Sequence, residues 1–322
     1  MPKSRTGSSN RKRGPKSTLS IAIIGSGRLG TALGLALTRA GYRVPIVASL
    51  HSAHARRVVK LIGRKTKHAS LKNLDQAEYV DELAQADLIV VATSDDAIET
   101  VAQQLAAGLR TRSALRPKAA RRIALHTSGA LGANVLDPLK REGFAVGAIH
   151  PLISISDPIT GADWLAQAYF SLEGDPQAVT AGRRLVRRLG GRSFQIRPEM
   201  KALYHAAALM ASPNLTALLD IALEMLTRCG LSARHARQVL LPLVESTLAN
   251  LVRQDPRSAL TGTFKRGDLA TTLKHIKAIK AENLSEALRA YAVLGTRSLT
   301  LADHPRNEQE MRRLLDDAAR SR

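Results

Sequence analysis

The side chains best suited to acid–base chemistry lie in one short segment of a predicted helix. Lys201 and His205 are four residues apart and share a helix face, and Tyr204 lies beside them. Their neighbours are small and apolar, so burial would lower the pKa of the lysine and suit it to proton transfer. Without a functional role, Lys201 would be solvated and His205 would be a hydrogen-bonded core residue. Taken together, the residues favour a catalytic Lys201 and His205, with Tyr204 contacting the substrate.

Two further segments each end a predicted strand. One carries Ser128 just after His126, and the other carries His150. Ligands of open α/β sheets bind at the carboxyl ends of strands, so we expect Ser128 and His150 to contact a substrate. Arg266 is expected to pair with a substrate carboxylate through its guanidinium fork, with His275 nearby in sequence. No metal site is predicted from these residues.

A glycine-rich turn follows the first apolar run of the chain. Its spacing is G-x-G-x-x-G, in which Gly25 allows a tight turn, Gly27 lets the backbone approach a pyrophosphate, and Gly30 lets the next helix pack closely. The start of that helix then offers free N–H groups to an anion. A tight turn without a ligand is the alternative. The residues expected to contact a dinucleotide are Gly25, Ser26, Gly27, Arg28, Leu29, Gly30, Ser49, Arg56 and Thr93.

The end of the second predicted strand distinguishes between the two nicotinamide cofactors. An acidic residue about 20 positions past the glycines would bind the ribose of NAD(H), but Ser49 stands there. Arg56 and Arg57 follow on the next helix, and guanidinium groups suit a 2′-phosphate. The sequence therefore predicts NADP(H) in preference to NAD(H). Pro45 is unexpected, because it removes a hydrogen-bond donor from a strand that is predicted to be internal.

The elements that position these residues alternate between strand and helix as far as residue 197. Seven strands are predicted, near residues 21–24, 44–48, 88–92, 123–126, 146–149, 169–172 and 193–196. This pattern predicts an α/β fold, a doubly wound Rossmann sheet, over residues 19–197. An all-α C-terminal domain should follow over residues 198–322, with long helices at 199–228, 233–254 and 269–294.

The first of these long helices is apolar nearly all round. We expect it to be buried inside the helical domain or in a subunit interface, and we predict a homodimer that forms through this domain. Pro213 should kink or restart the helix, with Ser212 as a candidate cap. Asp268 is a candidate cap for the last long helix.

The amino-acid composition disfavours several classes of function. The chain has 322 residues and a net charge of +21, and residues 1–18 are rich in Lys and Arg without an acid, which predicts a disordered basic tail. Only 3% of the residues are aromatic, which disfavours a stacking surface for nucleic acid. No uninterrupted apolar stretch reaches the roughly 18 residues of a membrane span. The single cysteine, Cys229, is expected to be a buried thiol in a reducing cytoplasm.

The order of the domains and several motifs resemble known oxidoreductases. A Rossmann domain followed by an all-helical domain is similar to the superfamily of 6-phosphogluconate dehydrogenase, β-hydroxyacid dehydrogenase and pyrroline-5-carboxylate reductase. In the first two, a lysine at the start of the first C-terminal helix acts as acid or base, which implies that role for Lys201. His205 stands where those enzymes carry an amide. The reductases interlock two subunits through late helices, which implies that Arg266 completes the site of a partner.

A narrower resemblance covers residues 19–294. The segments 126–131, 149–152, 204–208, 260–262 and 266–268 look like a bacterial family of predicted NADP-dependent oxidoreductases, whose helical C-terminal domain has no known function. The segment at His150 is also similar to the His-Pro-Met segment of prephenate dehydrogenases. Thr263 and Asn214 depart from the bacterial family's pattern, so no role is carried over to Asn214.

Together these observations predict an NADP(H)-dependent oxidoreductase that transfers a hydride to or from a small carbonyl, hydroxyacid or imine substrate. Lys201 would transfer the proton, directly or through water, and His205 would orient the substrate. The alternative is a non-catalytic sensor or interaction protein that binds NADP(H) and presents its basic tail to an acidic partner. Turnover of a substrate would distinguish the two.

Overall fold

The computed structural model describes residues 19–63, 65–73, 77–110 and 122–320. The predicted basic tail, residues 1–18, lies outside these described residues. The described chain forms two compact units that divide between Ala208 and Leu209. We describe each unit by itself.

The first unit is built on a sheet of eight strands. The strands are β1 (Ile21–Ile24), β2 (Ile46–Ser49), β3 (Lys67–Ser70), β4 (Leu88–Val91), β5 (Arg122–His126), β6 (Phe144–Leu152), β7 (Tyr169–Gly174) and β8 (Arg192–Gln195). Their order across the sheet is β3-β2-β1-β4-β5-β6-β7-β8. Strands β1 to β6 are parallel, β7 runs antiparallel to β6, and β8 is parallel to β7. The predicted doubly wound sheet is therefore confirmed, because the order of its first six strands is the Rossmann order.

Helices cover both faces of the sheet, and for that reason its central strands are apolar throughout. In β1, Ile23 faces one core cluster and the next residue, Ile24, faces the other. The first face packs against α1 (Arg28–Arg39), α2 (Ser52–Ile62), α6 (Pro158–Trp164) and α7 (Pro176–Leu189). The second face packs against α3 (Ala77–Gln85), α4 (Asp95–Arg110) and α5 (Asp137–Arg141). This double burial is typical of parallel sheets.

All seven predicted strands are present, but β3 was not predicted from the sequence. Its residues, Lys67–Ser70, are mostly polar and give no strand pattern, because β3 forms the edge of the sheet. The structure also explains Pro45. Pro45 immediately precedes β2, so its missing N–H removes no donor from the strand itself. Its carbonyl still accepts a hydrogen bond from Lys67 N at 2.8 Å.

The second unit is helical in its described part. Helix α8 (Lys201–Ala211) crosses the division, and it is followed by α9 (Pro213–Arg228), α10 (Ala233–Arg253), α11 (Pro256–Ala259), α12 (Thr263–Arg266), α13 (Leu269–Ala281), α14 (Ser285–Ala302) and α15 (Glu308–Arg320). The unit's apolar core lies mainly among α13, α14 and α15. The predicted restart at Pro213 is confirmed, whereas Ser212 makes no side-chain cap. The single helix predicted over 269–294 is wrong, because Asn283, at φ 57°, interrupts it.

Within the described chain, helix α9 contains no buried residue and α8 buries only Lys201. The apolar helix is therefore not buried inside the helical unit, whereas its burial in a subunit interface stays a prediction. The prediction of a buried thiol is wrong. Cys229 is exposed, because it lies at the C-cap of α9 rather than on a packed face. By length and composition alone, the stretch Pro198–Arg228 could cross a membrane. One such stretch is weak evidence for a span, since a helix that packs against other protein passes the same test.

Candidate active site

The glycine loop joins β1 to α1 with the geometry of an anion cradle. Gly25 has φ +118°, and a side chain there would collide with the backbone of Ala92. A side chain at Gly30 would collide with the carbonyl of Gly25, whereas one at Gly27 would meet no atom within 4 Å. No side chain caps α1, whose N-cap is Gly27, so its first N–H groups remain available. The loop is therefore closed towards the protein and open on the side from which a phosphate could approach.

A cavity of about 340 Å³ lies over this loop, at the carboxyl ends of β1, β2 and β4. The Ser26 and Ser49 hydroxyls hydrogen-bond to each other at 2.7 Å on its wall. Thr93 Oγ1 is buried and has no hydrogen-bond partner among the described residues, although it lies beside the cavity. An unpaired buried hydroxyl is costly, so a polar ligand in the cavity would satisfy it.

Cationic groups surround this cavity to different extents. Lys72 lines it, and was not predicted because it follows the unrecognised strand β3. Arg28, in the first turn of α1, and Arg56, in α2, are exposed and do not line the cavity. Helix α2 starts directly after Ser49-Leu50-His51, and no side chain caps it. The predicted residues that line the cavity are Gly25, Ser26, Gly27, Ser49 and Thr93, whereas Arg28, Leu29, Gly30 and Arg56 do not line it.

A second group of polar side chains lies at the carboxyl ends of β5 and β6, against the first turns of α8. His150 Nδ1 and the Tyr204 hydroxyl are 2.8 Å apart, and the ring of Tyr204 packs edge-on against Phe194. The Ser128 hydroxyl donates to Asp95 Oδ2 at 2.8 Å and accepts backbone N–H groups from two residues that follow it. The sequence-predicted Ser128, His150, Lys201, Tyr204 and His205 are thus brought together, with the Ser128 hydroxyl already fully engaged.

Lys201 is almost completely buried, with 1% of its surface exposed. Its Nζ donates to the Ser128 carbonyl at 3.3 Å and lies 3.5 Å from Glu173 Oε2. The second carboxylate oxygen, Glu173 Oε1, accepts the backbone N–H of Ala133 at 3.1 Å. Burial lowers the pKa of Lys201, while the negative charge of Glu173 opposes that shift. Glu173 was not predicted, because a single acid at the end of an apolar strand gives no sequence signal.

Histidine 126 has a structural role in this cluster. Its Nδ1 accepts the backbone N–H of Ser128 at 3.2 Å, so its Nε2–H donates to the Gly132 carbonyl at 3.2 Å. Burial, with the nearby charge of Lys201, lowers its pKa to about 3. The ring therefore stays neutral and fixes the turn that carries Ser128 and Gly129.

His150 and His205 approach each other across Gly129. Their ring centroids are 5.6 Å apart at an angle of 81°, and both rings contact the position that a side chain of Gly129 would fill. Burial lowers the pKa of His150 to about 4, and the neighbouring charges of His205 and Lys201 add to the shift. His205 is half-buried, and its Nδ1 has no hydrogen-bond partner among the described residues.

Two predicted substrate residues belong to the second unit. Arg266 ends the short helix α12, and His275 Nδ1 lies 2.9 Å from the hydroxyl of Tyr291. The Asp268 carboxylate accepts the backbone N–H of Thr271 at 3.0 Å, so its predicted role as a helix cap is confirmed. Roles for Arg266 and His275 in substrate binding stay predictions.

A further cavity, of about 530 Å³, lies at the amino ends of the strands. It is bordered by Leu88, Ile123 and Arg184. Ligands of open α/β sheets bind at the carboxyl ends of the strands, so we do not assign this cavity to the candidate site. Within the described parts of the chain, no group of three histidine, cysteine or acidic residues is placed to hold a metal ion.

Comparisons with known proteins agree with this organisation. Residues 5–151 match a Rossmann-like domain, so the chain carries the class of α/β domain that its sheet order and glycine loop define. Residues 168–298 match the domain of unknown function DUF2520. The chain therefore carries a Rossmann-like domain followed by a DUF2520 domain. No curated protein sequence matches it.

Solved structures share the fold at low sequence identity. BF3122 of Bacteroides fragilis, provisionally named an NADP oxidoreductase, is 22% identical with a TM-score of 0.66, over 88% of this chain and 98% of its own. The pyrroline-5-carboxylate reductase of Coxiella burnetii is 15% identical with a TM-score of 0.53, over 94% and 100%. The imine reductase of Myxococcus stipitatus, solved with NADP+, is 16% identical with a TM-score of 0.54, over 93% of each chain.

Proposed function

We propose that this protein is an oxidoreductase that uses NADP(H) to transfer a hydride to or from a small substrate. The observation that carries the proposal is the glycine loop, which is closed towards the protein but open at Gly27, beneath a cavity with an unsatisfied Thr93 hydroxyl. The structural neighbours named above include one provisionally named NADP oxidoreductase and an imine reductase solved with NADP+, which supports the choice of cofactor class.

The residues around the cavity fit a dinucleotide. The first N–H groups of α1 would hold the pyrophosphate, and the Thr93 hydroxyl would gain a partner. The Ser49 hydroxyl and the Lys72 ammonium would face the adenosine ribose, and the described residues that line the cavity include no carboxylate to repel a 2′-phosphate. The Arg56 guanidinium, on α2, would strengthen the preference for NADP(H) over NAD(H). Calorimetric titration with NADPH and NADH tests it, and tighter binding of NADH would overturn it.

The substrate would occupy the polar cluster at the ends of β5 and β6. The cofactor supplies the hydride, and the protein supplies position, charge and protons. Lys201 is too buried to touch a substrate in the described chain, so we assign its ammonium an electrostatic role. Burial keeps the imidazoles of His126 and His150 neutral, able both to donate and to accept hydrogen bonds, and the charge of Lys201 adds to the lowering of both pKa values.

Turnover tests the enzymatic proposal. Oxidation of NADPH is followed with a panel of keto acids, aldehydes and cyclic imines, and reduction of NADP+ with a panel of hydroxyacids. Activity with a panel member that is lost in His205→Gln, at unchanged NADPH affinity, would support the proposal. Tight NADPH binding without turnover of any panel compound would favour the non-catalytic sensor instead.

We further propose that the helical unit forms a homodimer. Large apolar side chains are exposed on α8 and α10, among them Met210 at 64%, Leu243 at 63% and Val252 at 86%. A surface of this kind is rare on monomers, and a second copy of the chain would cover it symmetrically. Light scattering should give twice the 34.7 kDa of one chain. Leu243→Lys should lower that mass, whereas Ile159→Lys, at an exposed apolar position in the first unit, should not.

A further inference from the structure

The space between His150 and His205 is shaped by the absence of a side chain at Gly129. A methyl group at this position would lie 2.9 Å from His150 Nε2 and would also contact His205 Nδ1. Gly129 has no positive φ, so its backbone does not require glycine. The structural reason for glycine here is therefore the space between the two ring nitrogens.

The hydrogen bond between Tyr204 and His150 assigns the proton of neutral His150 to one ring nitrogen. Burial raises the pKa of the Tyr204 phenol, and a hydrogen bond with the Ser171 side chain opposes that rise, so the phenol keeps its O–H. The phenol O–H is then free to donate to His150 Nδ1, 2.8 Å away. With Nδ1 as acceptor, neutral His150 carries its proton on Nε2, which faces Gly129.

His205 presents the complementary group. Its Nδ1 is buried, faces the same space and has no hydrogen-bond partner in the described parts of the chain. A neutral His205 with its proton on Nε2 would offer the Nδ1 lone pair across the gap. A donor on His150 and an acceptor on His205 therefore face one small space between them.

We propose that His150 Nε2–H donates to the hydroxyl or carbonyl oxygen of the substrate, that His205 Nδ1 accepts from that hydroxyl or, when protonated, donates to that carbonyl, and that Tyr204 is the positioning residue that sets the proton on His150. The proposal rests on the oxidoreductase function above and narrows its substrate class. A hydroxyl group can accept from His150 and donate to His205 at once. An iminium nitrogen has no lone pair to accept the His150 proton, so the site selects carbonyl compounds and alcohols over iminium ions.

The proton balance follows from this arrangement. In the oxidation direction, the substrate O–H would give its proton to His205 Nδ1, so that His205 becomes a cation while the C–H bond breaks and the C=O bond forms. A bound NADP+ would supply the acceptor for the hydride and its two electrons. The His205 side chain is only partly buried, so its ring can release a proton to water. In the reduction direction the steps reverse, with protonated His205 giving the proton to the oxygen.

The first test needs no turnover. Nitrogen NMR of protein labelled with ¹⁵N-histidine reports the tautomer of each ring, with His150→Gln and His205→Gln giving the assignments. We expect His150 and His205 to carry their protons on Nε2, and Tyr204→Phe to mix the His150 tautomers. Tyr291→Phe is a matched control, because it removes a similar bond to His275 and should leave His150 unchanged. A proton on Nδ1 of either His150 or His205 in the unsubstituted protein would overturn the proposal.

The second test fills the space. Gly129→Ala should lower kcat/KM for a carbonyl compound by about 100-fold or more, as a displacement of about 1 Å in a reactive complex does. NADPH affinity should stay unchanged, because Gly129 does not line the cavity over the glycine loop. Unchanged kcat/KM in Gly129→Ala would mean that the space holds only water. If no panel compound turns over at all, the NMR experiment still tests the predicted tautomers of His150 and His205, independently of the proposed function.

Discussion

The buried ion pair between Lys201 and Glu173 leads us to predict a large loss of stability when the pair is broken. Glu173→Gln removes the negative charge 3.5 Å from an ammonium that is 1% exposed. At that distance the Coulomb attraction is about 5 kcal/mol with an effective dielectric constant of about 20. Removing one partner of a buried pair leaves the other charge uncompensated, so we expect a loss of about 3–5 kcal/mol in the free energy of unfolding. For a unit of this size, Tm should fall by roughly 10 °C.

The same variant should also differ from the unsubstituted protein in how its free energy of unfolding depends on pH. The pKa of Lys201 is lowered from 10.5 by burial in the folded protein, so unfolding takes up a proton at pH values between the folded and unfolded pKa. Stability therefore rises with pH in that window. Glu173 opposes the shift, so Glu173→Gln should extend the window towards neutral pH and make the rise steeper.

Urea unfolding at several pH values measures both effects. Asp163→Asn is the matched control, because it breaks an ion pair with Arg39 whose side chains are 50% and 71% exposed. That exposed pair should contribute no more than about 1 kcal/mol. The double variant Glu173→Gln, Lys201→Met should recover part of the loss, because it removes both charges. A Glu173→Gln protein that is destabilised no more than Asp163→Asn would refute this account of the pair.

Three other predictions concern the cofactor site, a histidine and the helical surface. Ser49→Asp should weaken NADPH binding and strengthen NADH binding, as measured by calorimetry, because a carboxylate at the end of β2 repels a 2′-phosphate and accepts from a ribose hydroxyl. The folded pKa of His150 is about 4 against 6.5 unfolded, so stability should be lost as pH falls from about 6.5 to 4, and His150→Gln should reduce that loss in urea unfolding. Val252→Lys should lower the mass found by light scattering, as expected for Leu243→Lys; an unchanged mass in both would contradict the dimer interface on α10.

Much of the fold could be predicted because its signals are local. Consecutive apolar residues predicted strands such as β4, and the glycine spacing predicted the turn from β1 to α1. The polar edge strand β3 escaped prediction, and with it Lys72, which lines the cofactor cavity. The break at Asn283 also escaped, because the flanking helices give one continuous apolar pattern.

The candidate site was predicted only in part, because it depends on contacts between distant residues. Lys201, Tyr204 and His205 were identified by their helical spacing, and His150 by its place at a strand end. Glu173 lies 28 positions before Lys201, and no local sequence pattern indicates that the two side chains form an ion pair. The sequence also pointed to Lys201 as the residue that meets the substrate, whereas its burial in the structure favours His205.

The central claim is that the open space at Gly27 receives the phosphates of NADP(H). The most direct measurement is the Kd of NADPH for the unsubstituted protein and for Gly27→Ala. The added methyl group would meet no atom of the described residues within 4 Å, so Tm without ligand should stay nearly unchanged. NADPH affinity should nevertheless fall by tenfold or more, because the methyl group would occupy the space through which the pyrophosphate approaches. Equal NADPH affinity in the two proteins would contradict the account.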